Sequence, residues 1–170
     1  MRFKTMTVIM MGCIGILAGL ACNGQFSKGI KKDLKTGLSL SYDGFTVEES
    51  VLIDADGNPL NTNQVKMNEP IRIRVNGIDG FKAVNGRVFP GASILVTDRS
   101  ARQTILDEPD LFTGYNAEGC SPEDAGTVTL TVTVGDPIVP DSIYIWKSSI
   151  WDKKGQARIS IELEFKVLNP

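Results

Sequence analysis

The sequence predicts an all-β protein: an immunoglobulin-like two-sheet β-sandwich of about eight or nine strands, preceded by a signal peptide and a short tether. Three observations carry that expectation. Thr127 to Val134 alternates without a fault, with Val128, Leu130, Val132 and Val134 on one side and four threonines on the other, and Ala157 to Val167 alternates for longer. Successive side chains of a strand point to opposite faces, so these segments read as strands with one buried and one wet face. Turn-forming residues recur at short intervals, and no window carries the apolar spacing of an amphipathic helix. The Cys, Trp, Cys signature of antibody domains is absent, so the sandwich rests on strand count and alternation.

The chain opens on a different kind of segment. Arg2 and Lys4 precede an apolar run from Met6 to Ala21 whose only clearly polar side chain is Thr7. That is the layout of a secretory signal. A membrane span is the rival, at the short limit of what crosses a hydrocarbon core. Such a span normally ends on basic or aromatic residues, whereas this run ends on Ala18, Gly19 and Ala21 and then a cysteine. Gly19-Leu20-Ala21-Cys22 resembles the lipobox of bacterial lipoproteins, with Ala21 at the small position before the cut and Gly19 where leucine is usual. The resemblance implies removal of residues 1–21 and a lipid on the Cys22 thiol; Cys13 leaves too short an apolar run to serve instead. Residues 22–36 then form a flexible basic tether with Lys28, Lys31, Lys32 and Lys35 against Asp33 alone, either solvated or lying along anionic headgroups.

Residues 37–170 are expected to form a single β-sandwich domain. Further alternating or β-rich runs are Leu38 to Tyr42, Phe45 to Ile53, Ile71 to Val75, Ser93 to Thr97 and Ile143 to Trp146. Asn85-Gly86 has the positive-φ tolerance a type I′ hairpin demands, and Asp152-Lys153-Lys154-Gly155 is expected to turn the Ile143 strand into the last one, with Gly155 left-handed. Arg99 to Gly126 is the longest irregular stretch, and loops of that length are often functional.

Composition removes several chemistries. The 170 residues contain no histidine, which excludes Ser-His-Asp and Cys-His nucleophiles, His-ligated metals and the usual proton shuttle near neutral pH. No glycine-rich phosphate loop is present and no cofactor is implied. Loss of residues 1–21 takes two basic and no acidic residues, moving the formal charge from −2 to −4. An acidic chain has no footprint for nucleic acid. Of the three cysteines, Cys13 leaves with the signal and Cys22 is lipidated, so Cys120 stands alone and is expected to be inert in its acidic surroundings.

Four groups of residues remain as candidates. Asp107, Glu108 and Asp110 are the densest carboxylates, the only basis for a hydrolase, but no opposing carboxylate can be argued from sequence. Asp54, Asp56 and Asn58 match the first alternate ligands of a calcium loop, yet Gly57 stands at the fourth place and no glutamate closes the loop, so a local turn is expected and no metal site. Cys120 is the third. The fourth is Ile143-Tyr144-Ile145-Trp146, apolar on both parities: one set faces the opposite sheet and the other needs a cover. An exposed aromatic face at Tyr144 and Trp146, extended by Trp151, Phe112 and Tyr115, is the candidate binding surface.

The expectation is therefore a lipid-anchored protein of a bacterial cell envelope, at the outer membrane and facing the periplasm or the outside. Its sandwich is a non-catalytic binding or assembly module. Its partners are the membrane through the anchor and either an envelope protein, taken up at a sheet edge, or a carbohydrate stacked on aromatic rings.

Overall fold

The computed structural model describes residues 27–169, so the signal segment, Cys22 and the start of the tether lie outside the described residues. The alternating segments become strands. In chain order these are β1 (Lys28–Lys32), β2 (Ser39–Asp43), β3 (Glu49–Ile53), β4 (Gln64–Lys66), β5 (Pro70–Asn76), β6 (Pro90–Asp98), β7 (Thr104–Glu108), β8 (Thr127–Thr133), β9 (Ile143–Asp152) and β10 (Arg158–Leu168). Two single-turn helices, α1 (Tyr115–Glu118) and α2 (Pro122–Ala125), lie between β7 and β8. Ser121 caps α2 by accepting from the Asp124 amide at 3.1 Å, with Pro122 in the first turn, where a missing N–H costs nothing.

The strands make a two-sheet sandwich. One sheet has seven strands, ordered β1-β2-β10-β9-β6-β7 with β4 also on β10, and the other is β3-β5-β8. Every pairing is antiparallel except β4 with β10. β2 and β4 share one edge of β10 end to end, β2 along Arg158 to Glu162 and β4 along Lys166 to Leu168. Asn63 joins them: its side-chain amide donates to the Glu164 carbonyl at 2.9 Å and its own carbonyl accepts from the Lys166 amide at 3.0 Å.

The core lies between the sheets. β10 contributes Ile159, Ile161, Leu163, Phe165 and Val167, and β8 contributes Val128, Leu130 and Val132 from the facing side, all buried. The period-two pattern thus translates directly into an inner and an outer face, because the pleat leaves each strand no other choice.

Several expectations are corrected. Part of the flexible tether is strand: Lys28 to Lys32 pairs residue by residue with β2, so the sheet begins ahead of residue 37. Gly29 permits this, since a Cβ there would fall 2.3 Å from the Tyr42 hydroxyl that lies against it. Asp33 accepts from the Lys35 amide at 2.9 Å and the Thr36 hydroxyl at 2.6 Å, fixing the turn into β2. The Phe45 to Ile53 run is strand only from Glu49, although Phe45 and Val47 are buried. The supposedly irregular Arg99 to Gly126 stretch holds β7 and both helices. Gly155 is not left-handed; glycine is needed because a Cβ would stand 2.3 Å from a carboxylate oxygen of Asp152, which accepts from the Lys82 and Lys154 amides. The Asn85-Gly86 turn has positive φ at both residues, 52° and 74°, but closes only a single bridge, Val84 to Arg87.

Candidate binding face

The strongest sequence candidate is overturned by β9. Tyr144 and Trp146 point into the core, 1% and 0% exposed. The Tyr144 ring stacks on Phe165 with centroids 5.6 Å apart, and its hydroxyl accepts from the Val139 amide at 2.9 Å. The Trp146 indole N–H donates to the Ser148 hydroxyl at 2.8 Å, which satisfies a donor that burial would otherwise strand. Neither ring is available to a ligand. The isoleucines take the outer face, half-buried. Arg99 crosses β9 on that side to reach Glu164 at 2.9 Å, laying its stem beside them.

The other tryptophan occupies the outer face. Trp151 pairs with Gly91 on β6 and Arg158 on β10. A Cβ on Gly91 would stand 2.2 to 2.5 Å from its indole atoms, so the ring lies directly on the Gly91 backbone. The Arg158 guanidinium approaches it, 5.9 Å from the ring centroid, within cation-π range.

Register then builds a surface that no single strand shows. In the next outward row Ser41, Ser160, Ser149 and Ser93 stand side by side on β2, β10, β9 and β6. The following row is Ser39, Glu162, Lys147 and Leu95, closed by Asp107 on β7. Short serines between longer neighbours leave a shallow trough. Two adjoining concavities of about 590 Å³ each share Ser41 and Ser160, one bordered by Lys28 and Arg158 and the other by Lys32, Lys147 and Glu162. The trough offers hydroxyls that both donate and accept, with charges at its rim, and Trp151 stands beside the serine row, two residues from Ser149 on the same face of β9.

Phe112 and Tyr115 do come together, edge to face with centroids 5.8 Å apart, but they belong to a different device. Lys153, from the β9–β10 turn, donates to the Phe112 carbonyl at 2.9 Å and to the Asn116 side chain, and pairs with Asp110 at 2.7 Å. Burial opposes ionisation of Asp110, yet the Lys153 hydrogen bond and charge together with the Phe112 amide outweigh it and hold the carboxyl below its usual range. Asp110 is thus a structural anchor, while Asp107 and Glu108 are exposed on the edge strand β7. The three carboxylates do not converge.

The remaining candidates resolve locally. One Asp54 oxygen accepts from the Asp56 and Asn58 amides at 2.9 and 2.8 Å and the other from the Asn58 side chain at 3.2 Å, bonds led by the Asn58 amide that hold its pKa down. Arg72 donates to the Ala55 carbonyl at 2.5 Å, tying the turn to β5. Asp54, Asp56 and Asn58 therefore form a turn, with Gly57 at φ 87°. Cys120 is buried against Val88 and Ala125; burial, then the charge of Asp124, push its thiol pKa up, against a smaller opposing effect of Arg87. Among the described residues no helix is long and apolar enough to cross a membrane.

Fold and face together define an all-β sandwich with a polar trough across its larger sheet. No family model matches the chain, and no curated protein matches it. Among solved structures it is similar to two of superoxide reductase (neelaredoxin) from Ignicoccus hospitalis, each 11% identical over 71% of this chain and 81% of theirs, with TM-scores of 0.39 and 0.38. At that overlap the likeness carries no argument about activity.

Proposed function

We propose that this is a lipid-anchored protein of the bacterial cell envelope whose sandwich is a non-catalytic binding module, with the outer face of the seven-stranded sheet as its ligand surface. The observation that carries the ligand surface is the in-register row Ser41, Ser160, Ser149 and Ser93 lying beside Trp151. A ring resting flat on a glycine next to a line of hydroxyls suits a sugar, whose apolar face stacks while its hydroxyls exchange hydrogen bonds. The carbohydrate reading therefore moves from Tyr144 and Trp146 to Trp151. Anchoring is supported by the Gly19-Leu20-Ala21-Cys22 motif, and the non-catalytic role by the divergence of Asp107, Glu108 and Asp110.

The anchor is tested by metabolic labelling with a radioactive fatty acid: incorporation abolished by Cys22→Ala supports it, and unlabelled protein in the soluble fraction refutes it. The ligand surface is tested by a glycan screen on the full chain with tryptophan fluorescence. Binding lost in Trp151→Ala but kept in Tyr144→Phe supports the reading. Binding indifferent to Trp151 removes it.

A further inference from the structure

We propose that the free edge of β8 pairs with the β8 of a second copy of this chain, joining two three-stranded sheets into one. This goes beyond the binding-module reading and depends on neither the anchor nor the trough.

Among the described residues β8 is hydrogen-bonded on one side only, to β5. Which residues face outward follows from its flanks. The Val134 amide donates to Glu69 and its carbonyl accepts from Asn68, and the Gly126 carbonyl accepts from Ile78, so both flanking residues bond toward β5 and its adjoining loops. Alternate residues of a strand bond to the same side, hence Val128, Leu130 and Val132 also bond to β5. Thr127, Thr129, Thr131 and Thr133 direct their amides and carbonyls the other way. Among the described residues no hydrogen bond reaches those groups, and all four threonines are exposed.

Such an edge is a template for another strand unless something blunts it. The outer strands β1, β7 and β3 are blunted, and β4 is only three residues long. β1 carries Lys28, Lys31 and Lys32. β7 carries Asp107 and Glu108 and a register irregularity against β6. β3 is covered by returning chain, the Leu60 amide donating to the Leu52 carbonyl at 2.8 Å. β8 has no charge, proline or bulge anywhere in Thr127–Thr133.

The occupant is indicated by the sequence of the edge itself. Thr-Val-Thr-Leu-Thr-Val-Thr reads the same in both directions about Leu130. Antiparallel pairing across a two-fold axis at Leu130 sets Thr129 of one copy opposite Thr131 of the other, Thr127 opposite Thr133 and Val128 opposite Val132. Each threonine pair then exchanges both of its outward hydrogen bonds, and every residue meets its own type. A two-fold interface sets residue i against j and j against i; here each such pair is also matched in type, threonine with threonine and valine with valine, and without charges in the strand nothing repels along the seam.

Sedimentation of the full chain in detergent tests the pairing, alongside Thr129→Lys/Thr131→Lys, which sets lysines opposite one another, and Thr131→Pro, which removes an outward N–H while leaving the bonds to β5. Hydrogen exchange at the four threonine amides is read in parallel, and far-UV circular dichroism confirms that the variants fold. The expected result is a dimer with protected threonine amides in the native chain and dimerisation weakened at least about tenfold in both variants. A monomeric native chain overturns the proposal, as does a dimer indifferent to both variants. Protected amides in a monomer also overturn it, because another part of the same chain then covers the edge.

Discussion

Trp146 and Trp151 stand on one strand, five positions apart, and the odd interval puts them on opposite faces of the sheet. Trp146 is enclosed, its N–H bonded to Ser148 and its ring among the side chains that join the two sheets. Trp151 is half-buried and lies on the backbone of Gly91 beneath it. The first is enclosed on every side, whereas the second keeps part of its surface open above Gly91 with a cation near its ring. Aromatic content therefore says little about a binding face until parity is known; the sheet spends one ring on cohesion and presents the other.

The largest test of this contrast is Trp146→Ala, expected to cost about 3–5 kcal/mol because it leaves a large internal void. Urea unfolding followed by circular dichroism measures it, and a loss below about 1 kcal/mol would deny Trp146 its central place. Next is Gly91→Ala. The new methyl meets the Trp151 indole, so the ring must lift or the strand must shift, at about 1–3 kcal/mol. A red-shifted emission with greater acrylamide quenching is expected in a Trp146→Phe background, where Trp151 is the only reporter.

Lys153→Met is expected to cost about 1 kcal/mol, since both members of its pair with Asp110 keep some solvent contact and screening trims the gain. Its pH dependence has a definite sign. Asp110 titrates lower in the folded than in the unfolded chain, so its contribution is complete above the unfolded value of about 3.9 and fades as pH falls through the folded value. The stability gap between native protein and Lys153→Met should accordingly narrow in acid, and a gap constant from neutral pH to strong acid would contradict the assignment. Smallest is Trp151→Ala, expected within about 1 kcal/mol of native stability. A loss as large as that of Trp146→Ala would erase the distinction between the two rings.

The sheets were legible in the sequence wherever one face is wet. Thr127 to Val134 and Ala157 to Val167 announce their buried side because each polar residue sits where water must be. β9 was ambiguous because Arg99 and its partner Glu164 shelter Ile143 and Ile145 from the outside, and that shelter comes from residues distant in the chain. β1 was unreadable for the opposite reason: Lys-Gly-Ile-Lys-Lys has the composition of a tether, and only its fit against Tyr42 makes it a strand. The serine row shows the same limit at the candidate site. Each serine is an unremarked polar position in its own strand, and the row exists only through register, which pairing between distant segments sets.

The position of β10 has a consequence for how the molecule comes into being. Among the described residues this strand follows all the others, yet it lies between the β1–β2 hairpin and β9, and it is the one strand that β4 pairs with. Until it arrives, the larger sheet exists as separate pieces with their inner faces open to water. Its β1–β2, β6–β7 and β9–β10 pairs are hairpins, but the pairings of β6 with β9, β2 with β10 and β4 with β10 join segments distant in the chain, which slows closure. The larger sheet therefore cannot close before β10 is available, and until then the open inner faces of its pieces are exposed to aggregation and proteolysis.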